Sequence, residues 1–119
     1  MSDRLLERRD LAAAERWYHK SLAIWEKHGD EHGAASTYHD LGVIAGLQNH
    51  FVESGRWLVR AIIGFSHQQD THYAKITVDI FLIIYRQAPP DDQAKLRQIW
   101  EEAGLGAFPE SGDQAAPAK

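Results

Sequence analysis

Apolar side chains recur along this chain at steps of three and four. Leu11, Ala14, Tyr18, Leu22 and Trp25 form one such series, and Phe51, Ser54, Leu58, Ile62 and Phe65 repeat the same steps later. That spacing gathers each set on one face, so both stretches are read as amphipathic helices. After the first comes His28-Gly29-Asp30, where glycine supplies a left-handed stop and aspartate a new cap. The next helix is predicted from about Glu31 to Gln48, ending in the polar Gln48-Asn49-His50 turn. Gln69-Asp70-Thr71 separates the second pair, and a helix from about Thr71 to Gln87 should follow. Pro89-Pro90 stops it. Asp91-Asp92 is then expected to cap a last helix, with Leu96, Ile99, Trp100 and Ala103 on one face. Arg97, Gln98, Glu101 and Glu102 would form its solvated side. From Leu105 on, Gly, Pro, Ser and Ala dominate, and residues 105–119 read as a flexible tail.

A shift of 40 positions superimposes the chain on itself. Arg16-Trp17 falls on Arg56-Trp57, Asp30 on Asp70, His32 on His72, Ala34 on Ala74, Thr37 on Thr77 and Ile44 on Ile84. Conservative pairs fill the gaps, Leu22 with Ile62 and Trp25 with Phe65 among them. Matches that stay in phase over such a span mark an internal repeat, each unit a pair of helices. Ile76–Tyr85 is rich in β-branched residues, yet its place in the repeat corresponds to the helix holding Tyr38–Ala45, so it is read as helix and no strand is expected.

At this point the residues resemble a known family. Tyr38-x2-Leu41-Gly42-x2-Ala45, followed by Ser54, Leu58 and Ala61, is similar to the tetratricopeptide repeat. The stretch from Gly29 to Gly42 resembles its longer bacterial form, and the likeness covers about residues 4 to 104. There are departures: Leu82 stands where the family usually has glycine, and Ala45 where an aromatic is usual. The resemblance implies an all-α fold, a right-handed superhelix of antiparallel helical hairpins closed by a C-terminal capping helix. On this reading residues 1–104 form one repeat domain: a truncated first repeat 1–28, a second 31–68 and a third 71–104. Residues 1–9 would supply only about half of the helix that pairs with Leu11–Lys27.

The function implied is non-catalytic protein–protein interaction. The concave groove of such a fold would be lined here by Ser36, His39, Val43, Gly46 and Leu47, and one repeat on by Ile76, Asp79, Ile83, Arg86 and Gln87. Steps of three, four and three keep each stripe on one helical face. Val43, Leu47, Ile76 and Ile83 make the groove partly apolar, with His39, Asp79 and Arg86 as polar handles, which suits a peptide or partner helix. The same residues could instead pack inside a closed dimer. A carboxylate clamp of Lys and Asn, used by some family members, is replaced by His39, Val43, Asp79 and Ile83. A short first unit would also leave Trp17, Tyr18, Leu22 and Trp25 uncovered at its end. Homodimerisation through that end is the alternative function, and a homo-oligomer is expected.

Composition narrows the chemistry. The 119 residues are 44% hydrophobic and 25% charged, enough for one globular domain. Cysteine is absent, which removes disulfides, thiolate metal sites and cysteine nucleophiles together. A formal charge of −4, without a one-sided basic patch, argues against a nucleic-acid partner. The start lacks the apolar core of a secretory signal and no stretch is long enough to span a membrane, so a cytoplasmic protein is the expectation. Seven histidines raise a metal or acid–base alternative. Yet His28 and His32 flank a turn, and the repeat-equivalent pairs His32/His72 and His39/Asp79 should lie about a helix diameter apart, too far to share an ion. No phosphate loop or nucleophile elbow is present. No enzyme activity, cofactor or metal is therefore expected. Trp17, Trp25, Trp57 and Trp100 are read as packing residues rather than a ligand cage.

Overall fold

A computed structural model describes residues 2–109, with side chains described from residue 10 onward. It consists of five helices in chain order: α1 (Ser2–His28), α2 (Glu31–Leu47), α3 (Phe51–His67), α4 (Thr71–Gln87) and α5 (Pro90–Glu102). No strand occurs among the described residues.

The turns follow from a few residues. Gly29, Asn49 and Gln69 each adopt a left-handed backbone, with φ of 70°, 65° and 58°. Asp30 and Asp70 then cap α2 and α4, accepting from the amides of Gly33 at 2.8 Å and Tyr73 at 3.1 Å. α5 starts differently from the expectation. Its cap position is Pro89, Pro90 is already helical, and no side chain caps it. Pro90 sits where a helix has no use for its missing N–H, while Asp91 and Asp92 lie in the first turn and favour the positive end of the helix dipole.

α1 also departs from the expected plan. Residues 2–9 do not fold back as a partner helix; they extend α1 to 27 residues, roughly 40 Å at 1.5 Å per residue. The physical reason is the missing stop. Asn49 bends the chain ahead of α3, but its repeat counterpart is Arg9, in a Glu7-Arg8-Arg9 run of good helix formers.

Helices that follow one another pack side by side, and α3 lies at the centre, in contact with α2, α4 and α5. At the α2–α3 seam the backbones approach closely. A Cβ on Gly42 would sit 2.6 Å from Leu58 Cδ2, and the Ser54 hydroxyl donates to the Gly42 carbonyl at 2.7 Å. The main core joins Leu58 and Ile62 of α3, Phe81, Ile84 and Tyr85 of α4, and Leu96 and Trp100 of α5. A smaller cluster joins Leu22 of α1 to Ala34 and Leu41 of α2, flanked by Tyr18, Trp25, Tyr38 and Trp57.

The C-terminal expectations need two corrections. The tail does not begin at Leu105: Phe108 is buried in the main core, and Trp100 Nε1 donates to the Gly106 carbonyl at 3.1 Å. Nor is Arg97 on a solvated face. Its guanidinium lies 4.5 Å from the Phe108 ring centroid and its Nε donates to the Tyr85 hydroxyl at 3.0 Å. Residues 110–119 of the expected tail lie outside the described residues.

Candidate functional site

The residues expected to line a groove fall on α2 and α4, in two groups. Ser36, His39 and Ile76 come together around a hollow of about 280 Å³, with His32, Asp40, Phe65 and Tyr73. Val43 is half-buried. Leu47, 65% exposed, lies at the far end of α2 beside Leu11 and the Gln48-Asn49-His50 turn. On α4, Ile83 is 48% exposed, Asp79 is exposed and lies 3.9 Å from Lys75 Nζ, and Arg86 and Gln87 are exposed. Gly46 does not line the groove. It is buried against Ile84 and Ser54, where it lets α2 approach α4.

His39 ties α2 to α4. Its Nδ1 lies 2.8 Å from the Thr77 hydroxyl, which itself donates to the Tyr73 carbonyl at 2.8 Å. The single hydroxyl proton is therefore used, and Nδ1 must be the donor; the network assigns this tautomer and leaves the lone pair of neutral His39 on Nε2. Burial holds the imidazole below its ordinary range, with the Asp40 carboxylate offsetting part of that. Burial likewise pushes Asp40 up, against His39 and the Tyr18 hydroxyl, which hold it down.

A pH dependence follows. Below the ordinary histidine value of 6.5 the unfolded chain binds a proton at this position more readily than the folded one. Stability contributed by neutral His39 is thus present above 6.5 and lost as pH falls toward its lowered folded value. Asp40 acts in the opposite direction, its contribution declining as pH rises above 3.8. We expect His39→Gln to flatten the fall in denaturation midpoint between pH 7 and 5. The change in slope should be below about 1.4 kcal/mol per pH unit, the limit for one proton. Parallel curves for the two proteins would contradict this.

The other expected surface is the end formed by α1. Trp17 is 66% exposed, whereas Tyr18 and Trp25 are half-buried and Leu22 is buried in the α1–α2 seam. Leu22 therefore does not belong to an open face. At 100° per residue it stands about 140° round the helix from Trp17, while Ile24 stands only about 20° away. Ile24, 53% exposed, is the companion that grouping by size overlooked and that the i, i+7 spacing could have found. Trp25 packs flat over Gly33, where a Cβ would come within 2.6 Å of the ring. The tryptophans thus divide, Trp100 buried and Trp17 open, rather than all serving as packing.

Where α1, α2 and α3 meet, a cleft of about 470 Å³ opens between Trp25, Ala34, Tyr38 and Ile63. The Tyr38 hydroxyl donates to Glu26 at 3.0 Å, and the Arg60 guanidinium stacks 5.9 Å from the Tyr38 ring and 5.2 Å from Trp57. These side chains come from three helices, and no short-range spacing announces them.

The histidine pairs do not form ligand sets. His32 Nε2 meets Asp70 Oδ2 at 3.0 Å rather than His72, and among the described residues no three His, Asp or Glu groups converge as metal ligands. No helix of the described residues is long and apolar enough to cross a membrane. Comparison with protein-family models, with curated proteins and with solved structures found no match to this chain.

Proposed function

We propose that this chain is a tetratricopeptide-like, right-handed superhelical module without catalytic activity, and that it binds a partner helix along the open face of α1. The observation that carries this reading is the 66% exposure of Trp17. Its repeat counterpart, Trp57, is half-buried: it stacks on Tyr38 of α2 at 5.8 Å and meets His19 edge-on at 5.7 Å. Ile24 corresponds to Gly64, which lies against Ala35 of α2. What α2 does for α3, nothing among the described residues does for α1.

The partner is therefore an amphipathic helix lying where α2 lies on α3. Charge refines its chemistry. Arg16, Lys20 and Lys27 are exposed along one edge of the face, roughly 60–100° round from Trp17, and none is in an ion pair with a described residue. A helix with a carboxylate edge complements that row. Burying two large apolar side chains contributes on the order of 1.5–3 kcal/mol each.

A direct test uses a synthetic peptide of residues 31–47 as the probe, since α2 already covers this face of the repeat on α3. Binding should be saturable, and a Trp17→Glu, Ile24→Glu double variant should weaken it at least about tenfold, or 1.4 kcal/mol. Both positions are exposed, so circular dichroism should report unchanged helicity. Sedimentation decides the alternative. A dimer that the double variant dissociates would replace the partner helix by a second copy, and a monomer with no peptide binding would reject the face altogether.

A further inference from the structure

We propose that the cleft between α1, α2 and α3 binds a small zwitterion with an apolar side chain, an α-amino acid of the phenylalanine or leucine kind, with its ammonium toward Glu26 and its carboxylate toward Arg60. The volume, about 470 Å³, suits a small molecule, and apolar walls are edged by the ionisable Glu26, Asp30, Glu31, Arg60 and His67. Trp25, Ala34, Tyr38 and Ile63 offer the surface an apolar side chain needs.

Two opposite charges border this space without neutralising each other. Glu26 on α1 accepts from the Tyr38 hydroxyl, and Arg60 on α3 is held over the rings of Tyr38 and Trp57. Burial and then the Glu26 carboxylate push the ionisation of the Tyr38 phenol up while Arg60 pulls it down, yet Glu26 and Arg60 form no ion pair. The other carboxylates at the rim are engaged elsewhere: Asp30 caps α2 through the Gly33 amide, and Glu31 accepts from Gln68 at 2.8 Å. Glu26 and Arg60 thus place an anion and a cation on different helices beside Tyr38, with Asp30, Glu31 and His67 also at the rim. Arg60 presents several N–H donors, the geometry that matches a carboxylate.

The internal repeat argues that these polar groups are not a by-product of helix packing. Forty positions on, the apolar frame persists, Trp25 as Phe65 and Ala34 as Ala74. The polar groups do not: Glu26 becomes Ser66, Tyr38 becomes Val78 and Arg60 becomes Trp100. Packing needs only the frame. The apolar frame thus recurs one repeat on, and this combination of polar groups does not.

Calorimetric titration of the full chain with L-phenylalanine tests this. We expect a dissociation constant of about 1 mM or tighter. Phenethylamine, which lacks the carboxylate, and 3-phenylpropionate, which lacks the ammonium, should each bind at least about tenfold more weakly. N-acetyl-L-phenylalaninamide, standing for a phenylalanine inside a partner polypeptide, should be as weak. Glu26→Gln should reduce affinity for phenylalanine but not for 3-phenylpropionate, and Arg60→Gln should reduce affinity for phenylalanine but not for phenethylamine. The ligand series uses the unaltered protein, so it decides the matter even if a variant misfolds. Absence of saturable heat with phenylalanine, or affinity for the singly charged or uncharged analogues equal to that for phenylalanine, overturns the proposal. Neither result bears on the outer face of α1.

Discussion

Phe81→Ala is expected to cost about 3–5 kcal/mol of folding stability. The ring is fully buried at the point where α3, α4 and α5 meet, 5.3 Å from the Trp100 ring and 6.2 Å from Phe108. On the opposite side it reaches Gly55 of α3, where a Cβ would come within 3.3 Å of it. Truncation removes the transfer free energy of the ring and leaves a cavity that three helices cannot readily close. A domain of this size has only about 5–15 kcal/mol in hand, so much of the total would go. Urea melts followed by circular dichroism measure it. A loss below about 1 kcal/mol would mean that Phe81 is not at the helix junction.

Phe108→Ala should have an effect nearly as large, about 3 kcal/mol, although the residue lies beyond the last long helix. Its ring is 4.8 Å from Tyr85 and 5.9 Å from Trp100, with Arg97 stacked at 4.5 Å on it. Because Phe81 and Phe108 share Trp100 as a neighbour, their losses should not add. The double variant is expected to fall short of the summed singles by about 0.5–3 kcal/mol, the range for residues in contact. Strict additivity in the double-mutant cycle would show the two rings to be independent. Chain ending before Phe108 should match the single substitution.

The helices were legible because their signals are local. Each boundary from α1 to α4 carries a residue suited to a left-handed turn, or an aspartate cap, within three positions of where the helix breaks. The beginning of α1 was misread for the same reason in reverse. Repeat logic asked for a turn near residue 9, but the arginine there has no preference for the left-handed backbone, and local propensity prevailed. Phe108 was hidden by its surroundings, since a lone aromatic among Gly, Ala and Pro carries no periodicity. On α1, size alone placed Leu22 with Trp17, whereas angle separates them. The cleft was beyond sequence reasoning altogether. Glu26, Tyr38 and Arg60 are separated by 12 and 22 positions and meet only once three helices have packed.

The central place of α3 has a kinetic counterpart in the ease with which parts of the molecule open. The main core is built from α3, α4, α5 and the segment that carries Phe108, while α1 rests on the small cluster around Leu22, Ala34 and Leu41. Opening α1 would break that cluster and leave the main one intact, so its backbone amides should trade hydrogen for deuterium well before those of α3. A helix docked over Trp17 and Ile24 would then announce itself without any change of shape: protection would rise along α1, by the free energy of binding, while α4 and α5 kept their rates.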